Sequence, residues 1–128
     1  MAKRILAVDD DENILNLEKT ILVQNGFEVV TVSQAKDVLA LLERESVDLI
    51  LLDVVMPEMD GFALCRQIKA DPRFKGLPIV FLTARGGGEA LAEGFESGAV
   101  MYIRKPFTAA KLLAVVGTML ESAEHGLS

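Results

Sequence analysis

The chain holds one cysteine, Cys65, among 128 residues, so no intramolecular disulfide can form. That usage fits a reducing cytosol, and Cys65 reads as a small packing residue on a helix. No apolar run approaches the ~20 residues needed to cross a bilayer. The basic start, Met1-Ala2-Lys3-Arg4, is followed by only Ile5 to Val8 before Asp9-Asp10-Asp11, too short a stretch for a signal peptide. Repeats, low-complexity segments and internal linkers are lacking. Lysine and arginine are scattered and outnumbered by acids, 13 to 19, giving a net charge of −6 whose field opposes nucleic acid. The single histidine, His125, lies in a polar tail with no partner that would make it catalytic. What remains is one compact domain expected in the cytoplasm, with no membrane and no direct nucleic-acid contact.

Against this background Leu49-Ile50-Leu51-Leu52-Asp53 stands out. Four apolar residues in a row, with Val47 before them, read as a strand buried on both faces, as in the middle of a parallel sheet. Buried charge is costly unless paired or bound to metal. A carboxylate at the mouth of this strand therefore requires a reason. Ile5-Leu6-Ala7-Val8 is a second buried run, and it ends in Asp9 and Asp10. Asp11 is placed to cap a following helix, with Glu12 in its first turn and Ile14, Leu17, Ile21 and Leu22 as the inward stripe. Asn25-Gly26 stops that helix, and Phe27 to Val32 forms the second strand. Ser33 is expected to cap a helix with Ala35, Val38, Leu39 and Leu42 facing in.

After the central strand, Gly61 to Ala70 reads as a third helix, ended by Asp71-Pro72. Pro78 to Leu82 is a fourth strand stopping at Thr83. A fourth helix is expected over 89–97, preceded by Gly86-Gly87-Gly88, whose low helix propensity predicts a mobile loop. Val100 to Ile103 is the fifth strand. Thr108 caps a last helix with Leu112, Val115, Val116, Met119 and Leu120 inward, and a polar tail is expected to fray from Ser122. The domain accordingly spans 1–121 and the tail 122–128.

Five strands alternating with five helices give a parallel sheet covered on both faces. Parallel strands share one carboxyl edge, and ligand sites in such sheets form there. Asp9, Asp10, Asp53, Thr83 and Lys105 all fall at strand ends, so they should meet in space. Clustered carboxylates repel unless a cation neutralises them. All-oxygen ligation suits Mg²⁺, which keeps several waters and needs only one or two direct carboxylates. Lys105 can reach a carboxylate or a phosphoryl group as a mobile point charge. Thr83 adds a hydroxyl, and an aspartate oxygen is a competent nucleophile for phosphorus.

The chain resembles a response-regulator receiver domain, the phosphoacceptor module of two-component signalling. The matching stretches are Ile5 to Asp10, Leu49 to Asp53 with Met56-Pro57 and Asp60-Gly61, Pro78 to Ala84, and Gly98-Ala99 through Tyr102 to Lys105-Pro106-Phe107. The resemblance implies a flavodoxin-like, doubly wound α/β fold with a five-stranded sheet in the order 2-1-3-4-5. It implies that Asp53 is the phosphoacceptor and that Mg²⁺ (or Mn²⁺) is held by Asp10, Asp53 and the backbone carbonyl of Val55, with Asp9 acting mainly through water. Lys105 would contact the phosphoryl group across a cis bond to Pro106, and Thr83 and Tyr102 would switch with it. The partners it implies are a sensor histidine kinase or a histidine phosphotransfer protein, and a downstream protein or output domain. These would read the face formed by the fourth helix, fifth strand and last helix, a face that also allows a homodimer. Such a domain is no turnover enzyme; it catalyses only its own phosphorylation and dephosphorylation.

Three other classes were weighed against this one. A haloacid-dehalogenase-like phosphatase needs a second aspartate two residues after the nucleophile, where Val55 stands. A flavin carrier needs a phosphate-binding loop after the first strand, where Asp9-Asp10-Asp11 would repel phosphate. A docking domain independent of phosphorylation is disfavoured because every site residue is intact. Val55 and Arg85 occupy the rate-modulating positions. Val55 offers nothing to place a hydrolytic water, and Arg85 can screen the phosphoryl group. Slow self-dephosphorylation is the expected result, and a phosphorylated half-life of seconds would contradict it.

Overall fold

The computed structural model describes residues 2–54, 60–83 and 101–124, the side chains of 83 and 122–124 excepted. Strands β1 (Arg4–Val8), β2 (Glu28–Val32), β3 (Leu49–Asp53), β4 (Ile79–Thr83) and β5 (Met101–Arg104) form one parallel sheet in the order β2-β1-β3-β4-β5. This is the flavodoxin-like order expected from the resemblance. The central strand β3 is buried along its whole length, as its unbroken apolar run requires.

Side chains alternate across the strands and divide the core in two. Leu6, Val8, Ile50, Leu52, Ile79 and Phe81 face helices α2 (Val38–Arg44) and α3 (Gly61–Ala70). Ile5, Leu49, Leu51, Val80, Leu82 and Ile103 face α1 (Glu12–Gln24) and the C-terminal helix (Ala109–Glu124). On the first side the Phe62 and Phe81 rings meet edge to face, their centroids 4.8 Å apart.

Local chemistry accounts for most helix boundaries. The Asp11 carboxylate accepts from the backbone N–H groups of Asn13 and Ile14 and caps α1. That helix ends at Asn25, before Gly26 takes up a left-handed φ of 91°. Asp60 caps α3 through the Phe62 N–H, and the helix ends at Asp71. Thr108 Oγ1 accepts from the Lys111 N–H at the start of the C-terminal helix.

The structure corrects several expected details. The inner face of α1 carries Leu15, Glu18 and Leu22, while Leu17 is 46% exposed. The helix is rotated by about one residue from the face that the apolar residues alone suggest, because a carboxyl occupies one of the inward positions. Ser33 does not cap the second helix. A 3₁₀ turn (Ala35–Asp37) with no side-chain cap leads into α2, where Val38, Leu41 and Leu42 are buried and Leu39 packs partly buried against the same core. The C-terminal helix continues through Ser122 to Glu124 instead of fraying there. The helix expected over 89–97, the Gly86-Gly87-Gly88 loop and His125 lie outside the described residues.

Gly61 sits where β3 gives way to α3. A Cβ on it would lie 2.3 Å from the carbonyl oxygen of Asp53 and 2.8 Å from Val54 Cα, both backbone atoms. Gly117, in the C-terminal helix, has nothing within 4 Å of the corresponding position. Gly61→Ala should therefore lose about 1–3 kcal/mol, whereas Gly117→Ala should gain up to ~1 kcal/mol from helix propensity. Urea denaturation of the pair would refute the close packing at Gly61 if both substitutions proved neutral.

Candidate functional site

The carboxyl ends of β1 and β3 lie side by side, since Val8 pairs with Leu52. Asp9 follows β1, and Asp53 closes β3. Both are buried, at 1% and 6% exposure, while Asp10 faces solvent. Asp9 is held by the turn into α1, where its Oδ1 accepts from the Asp11 N–H at 3.0 Å. One carboxylate oxygen from each of Asp9, Asp10 and Asp53 lies within 4.8 Å of the other two. Three acidic groups thus share one small volume at the sheet edge.

Lys105, just beyond β5, reaches back across the edge. Its Nζ donates to Asp9 Oδ2 at 2.6 Å and lies 3.6 Å from Asp53 Oδ1. Burial pulls the pKa of this ammonium down. The hydrogen bond to Asp9 and the charges of Asp53, Asp9 and Glu18 together outweigh burial, so it titrates above the ordinary lysine value. The Lys105–Pro106 peptide is cis. Among the described residues, one ammonium stands against three carboxylates, which leaves the cluster short of positive charge.

The remaining sequence-derived positions distribute unevenly. Thr83 closes β4, where its backbone pairs with Arg104; its side chain lies outside the described residues. Val55 and Arg85 lie outside them as well. Tyr102 lies on β5 between Met101 and Ile103, and its half-buried side chain packs on the α2–α3 side of the sheet. Ile103 faces α1 and the C-terminal helix. Tyr102 therefore turns to the opposite side of β5 from Ile103.

Sequence reading missed Glu18. Its side chain is 2% exposed on the inner face of α1, and among the described residues its Oε2 has no hydrogen-bond partner. Burial, then the charge of Asp9, push its carboxyl up to about 8; Lys105 pulls the other way and Asp53 adds to the rise. The signal was present: Leu15 and Leu22 stand seven apart on one helical face, and the residue between them at the three-residue step is Glu18.

This carboxyl gives stability a definite pH dependence. Between its ordinary value of 4.5 and about 8, the folded chain keeps a proton that the unfolded chain has released. Stability of the metal-free protein should therefore fall as pH rises through that window, by at most about 1.4 kcal/mol per unit. Denaturant midpoints between pH 5 and 8 should show this fall for the wild type and a flatter profile for Glu18→Gln. Equal slopes would refute the assignment.

Comparison with known proteins agrees with this arrangement. The family model described as the response regulator receiver domain matches residues 5–117. The chain is 40% identical over 122 residues to the transcriptional regulatory protein GltR of Pseudomonas aeruginosa, covering 95% of this chain and 50% of GltR. It is 40% identical over 119 residues to the response regulator PleD of Caulobacter vibrioides, covering 93% of this chain and 26% of PleD. The chain thus spans half or less of these relatives. Among solved structures, a CheY-like receiver domain protein of Methanospirillum hungatei superposes with a TM-score of 0.92 at 32% identity, covering 98% of this chain and 99% of that one. The acidic cluster with its lysine sits at the sheet edge of a chain that belongs to the response regulator receiver domains of two-component systems.

Proposed function

We propose that the domain accepts a phosphoryl group on Asp53 from a phosphohistidine donor, in a Mg²⁺-dependent reaction, and that the modified domain changes its protein contacts. The observation that carries this reading is the meeting of Asp9, Asp10 and Asp53 with the Lys105 ammonium. The donor set fits the metal: three carboxylates with oxygens inside one 4.8 Å cluster provide the all-oxygen environment of a hard divalent cation. Mg²⁺, or Mn²⁺, would be held by Asp10, Asp53 and the Val55 carbonyl, with Asp9 acting through water. When bound, it supplies positive charge to the phosphoryl oxygens.

The chain's own groups perform the rest. An Asp53 oxygen attacks phosphorus as the bond to the donor's imidazole nitrogen breaks. The electron pair of that bond stays on the imidazole, and Asp53 becomes an acyl phosphate. Lys105 moves its hydrogen bond from Asp9 to a phosphoryl oxygen, where an ammonium is a strong donor. Burial of Asp53 keeps bulk water from the acyl carbon. Thr83 and Tyr102 follow the new group, and Val55 and Arg85 slow its hydrolysis. Apart from its own phosphorylation and dephosphorylation, the domain turns over no substrate.

The proposed donors are a sensor histidine kinase or a histidine phosphotransfer protein, and the proposed reader is a downstream protein or output domain. The face running from the expected fourth helix to β5 and the C-terminal helix serves the reader, or a second copy of the chain. The proposed setting is cytoplasmic. Among the described residues no helix is long and apolar enough to cross a membrane.

Incubation with acetyl phosphate and Mg²⁺, followed by intact mass, should add one phosphoryl group. Asp53→Asn or removal of the metal should abolish the adduct, and the adduct should outlast minutes. A full-size adduct on the Asp53→Asn protein would overturn the assignment. So would a wild-type chain that stays unmodified by acetyl phosphate and by phosphohistidine proteins alike.

A further inference from the structure

Most of the buried face of α1 is hydrocarbon, and Leu15 and Leu22 flank Glu18 along it. A carboxyl in that position is destabilising: it is desolvated, and its Oε2 has no hydrogen-bond partner among the described residues. A leucine would fill the same stripe without that penalty. Local rules broken without a packing benefit tend to mark functional positions. The surroundings of Glu18 indicate which function. The charged groups acting on it are Asp9 at the end of β1, Asp53 at the end of β3 and Lys105 beyond β5. Its inner neighbours on α1, and the inward residues Leu112, Val115 and Val116 of the C-terminal helix, bring no charge. Among the described residues, the charges acting on Glu18 therefore belong to the acidic site.

We propose that Glu18 is a positioning residue of this site, a buried carboxyl whose charge helps retain cations at the strand ends, the Lys105 ammonium and a divalent ion alike. It touches no phosphoryl group. When ionised, it adds to the attraction that Asp9 and Asp53 exert on Lys105, and the same field strengthens the hold on a divalent ion. The inference rests on the proposed cation-dependent reading of the site and adds a fourth carboxyl to it. Because Glu18 is buried, its charge is poorly screened and acts over a longer distance than a surface charge would.

The test is Mg²⁺ binding by calorimetry on the full chain, starting metal-free, at pH 6 and pH 8.5. Glu18→Gln keeps the shape and removes the charge; Glu18→Leu also removes the polarity. At pH 8.5 both variants should bind Mg²⁺ more weakly than wild type, by on the order of tenfold for a lost charge at this depth. At pH 6, where wild-type Glu18 is neutral, the difference should shrink to about twofold or less. Thermal melts of the metal-free proteins should place Glu18→Leu above wild type at pH 8.5. If the leucine variant does not fold, the glutamine variant alone decides. Equal affinities at pH 8.5 overturn the proposal, and so does a loss of the same size at both pH values, which would mark a packing defect. Absence of Mg²⁺ binding by the wild type overturns it too. Because the readout is binding, a chain that shows the pH signature but accepts no phosphoryl group upholds Glu18 and refutes the phosphoacceptor reading instead.

Discussion

Everything at the carboxyl edge of the sheet depends on how the charge of Asp9 and Asp53 is balanced. Both carboxylates are almost wholly removed from water, and a buried anion is tolerated only with a compensating partner. Lys105 is that partner, and its bond to Asp9 joins residues 96 positions apart in sequence. It can do so because β1 and β5 run parallel in one sheet and deliver their ends to the same edge. Among the described residues the compensation is incomplete: one ammonium faces Asp9, Asp10 and Asp53. Under the proposed reading, a divalent cation would make up that deficit.

Most of the architecture was legible in the chain because its strands are short, built on apolar runs and separated by helical patterns. The unbroken run Leu49 to Leu52 could only be a central strand, and Asp53 was conspicuous because it interrupted one. The capping of α1 by Asp11 followed from side-chain type and position alone. The convergence of Asp9, Asp10, Asp53 and Lys105 followed from parallel topology without any measured distance.

What was not legible had a common physical origin. A hydrophobic stripe is recognised by its apolar members, so a buried carboxyl conceals the face that it lies on. Ile14, Leu17, Ile21 and Leu22 suggested one face for α1, whereas its buried residues are Leu15, Glu18 and Leu22, with Ile21 packed beside them and Leu17 exposed. Burial of Glu18 depends on the sheet edge behind it, which no local pattern reports. The 3₁₀ turn before α2 escaped notice for a related reason. Its residues carry helical spacing, but no side chain caps it, and only the packing of Ala35 and Val38 decides where regular helix begins.

The short helix α3 is anchored at both ends. Its first residue, Gly61, donates its N–H to the Val54 carbonyl at 2.7 Å and lies so close to the Asp53 carbonyl that no side chain fits between them. At its last turn, the Lys69 ammonium donates to the carbonyls of Lys75 and Leu77, in the segment that leads into β4. The helix therefore acts as a strut between the two edges of the sheet, one end against β3 and the other in the return loop. Ten residues of helix span about 15 Å. Braced in this way, the backbone at the end of β3 is tied through α3 to the segment that opens β4, so a shift at one end of the helix is felt at the other.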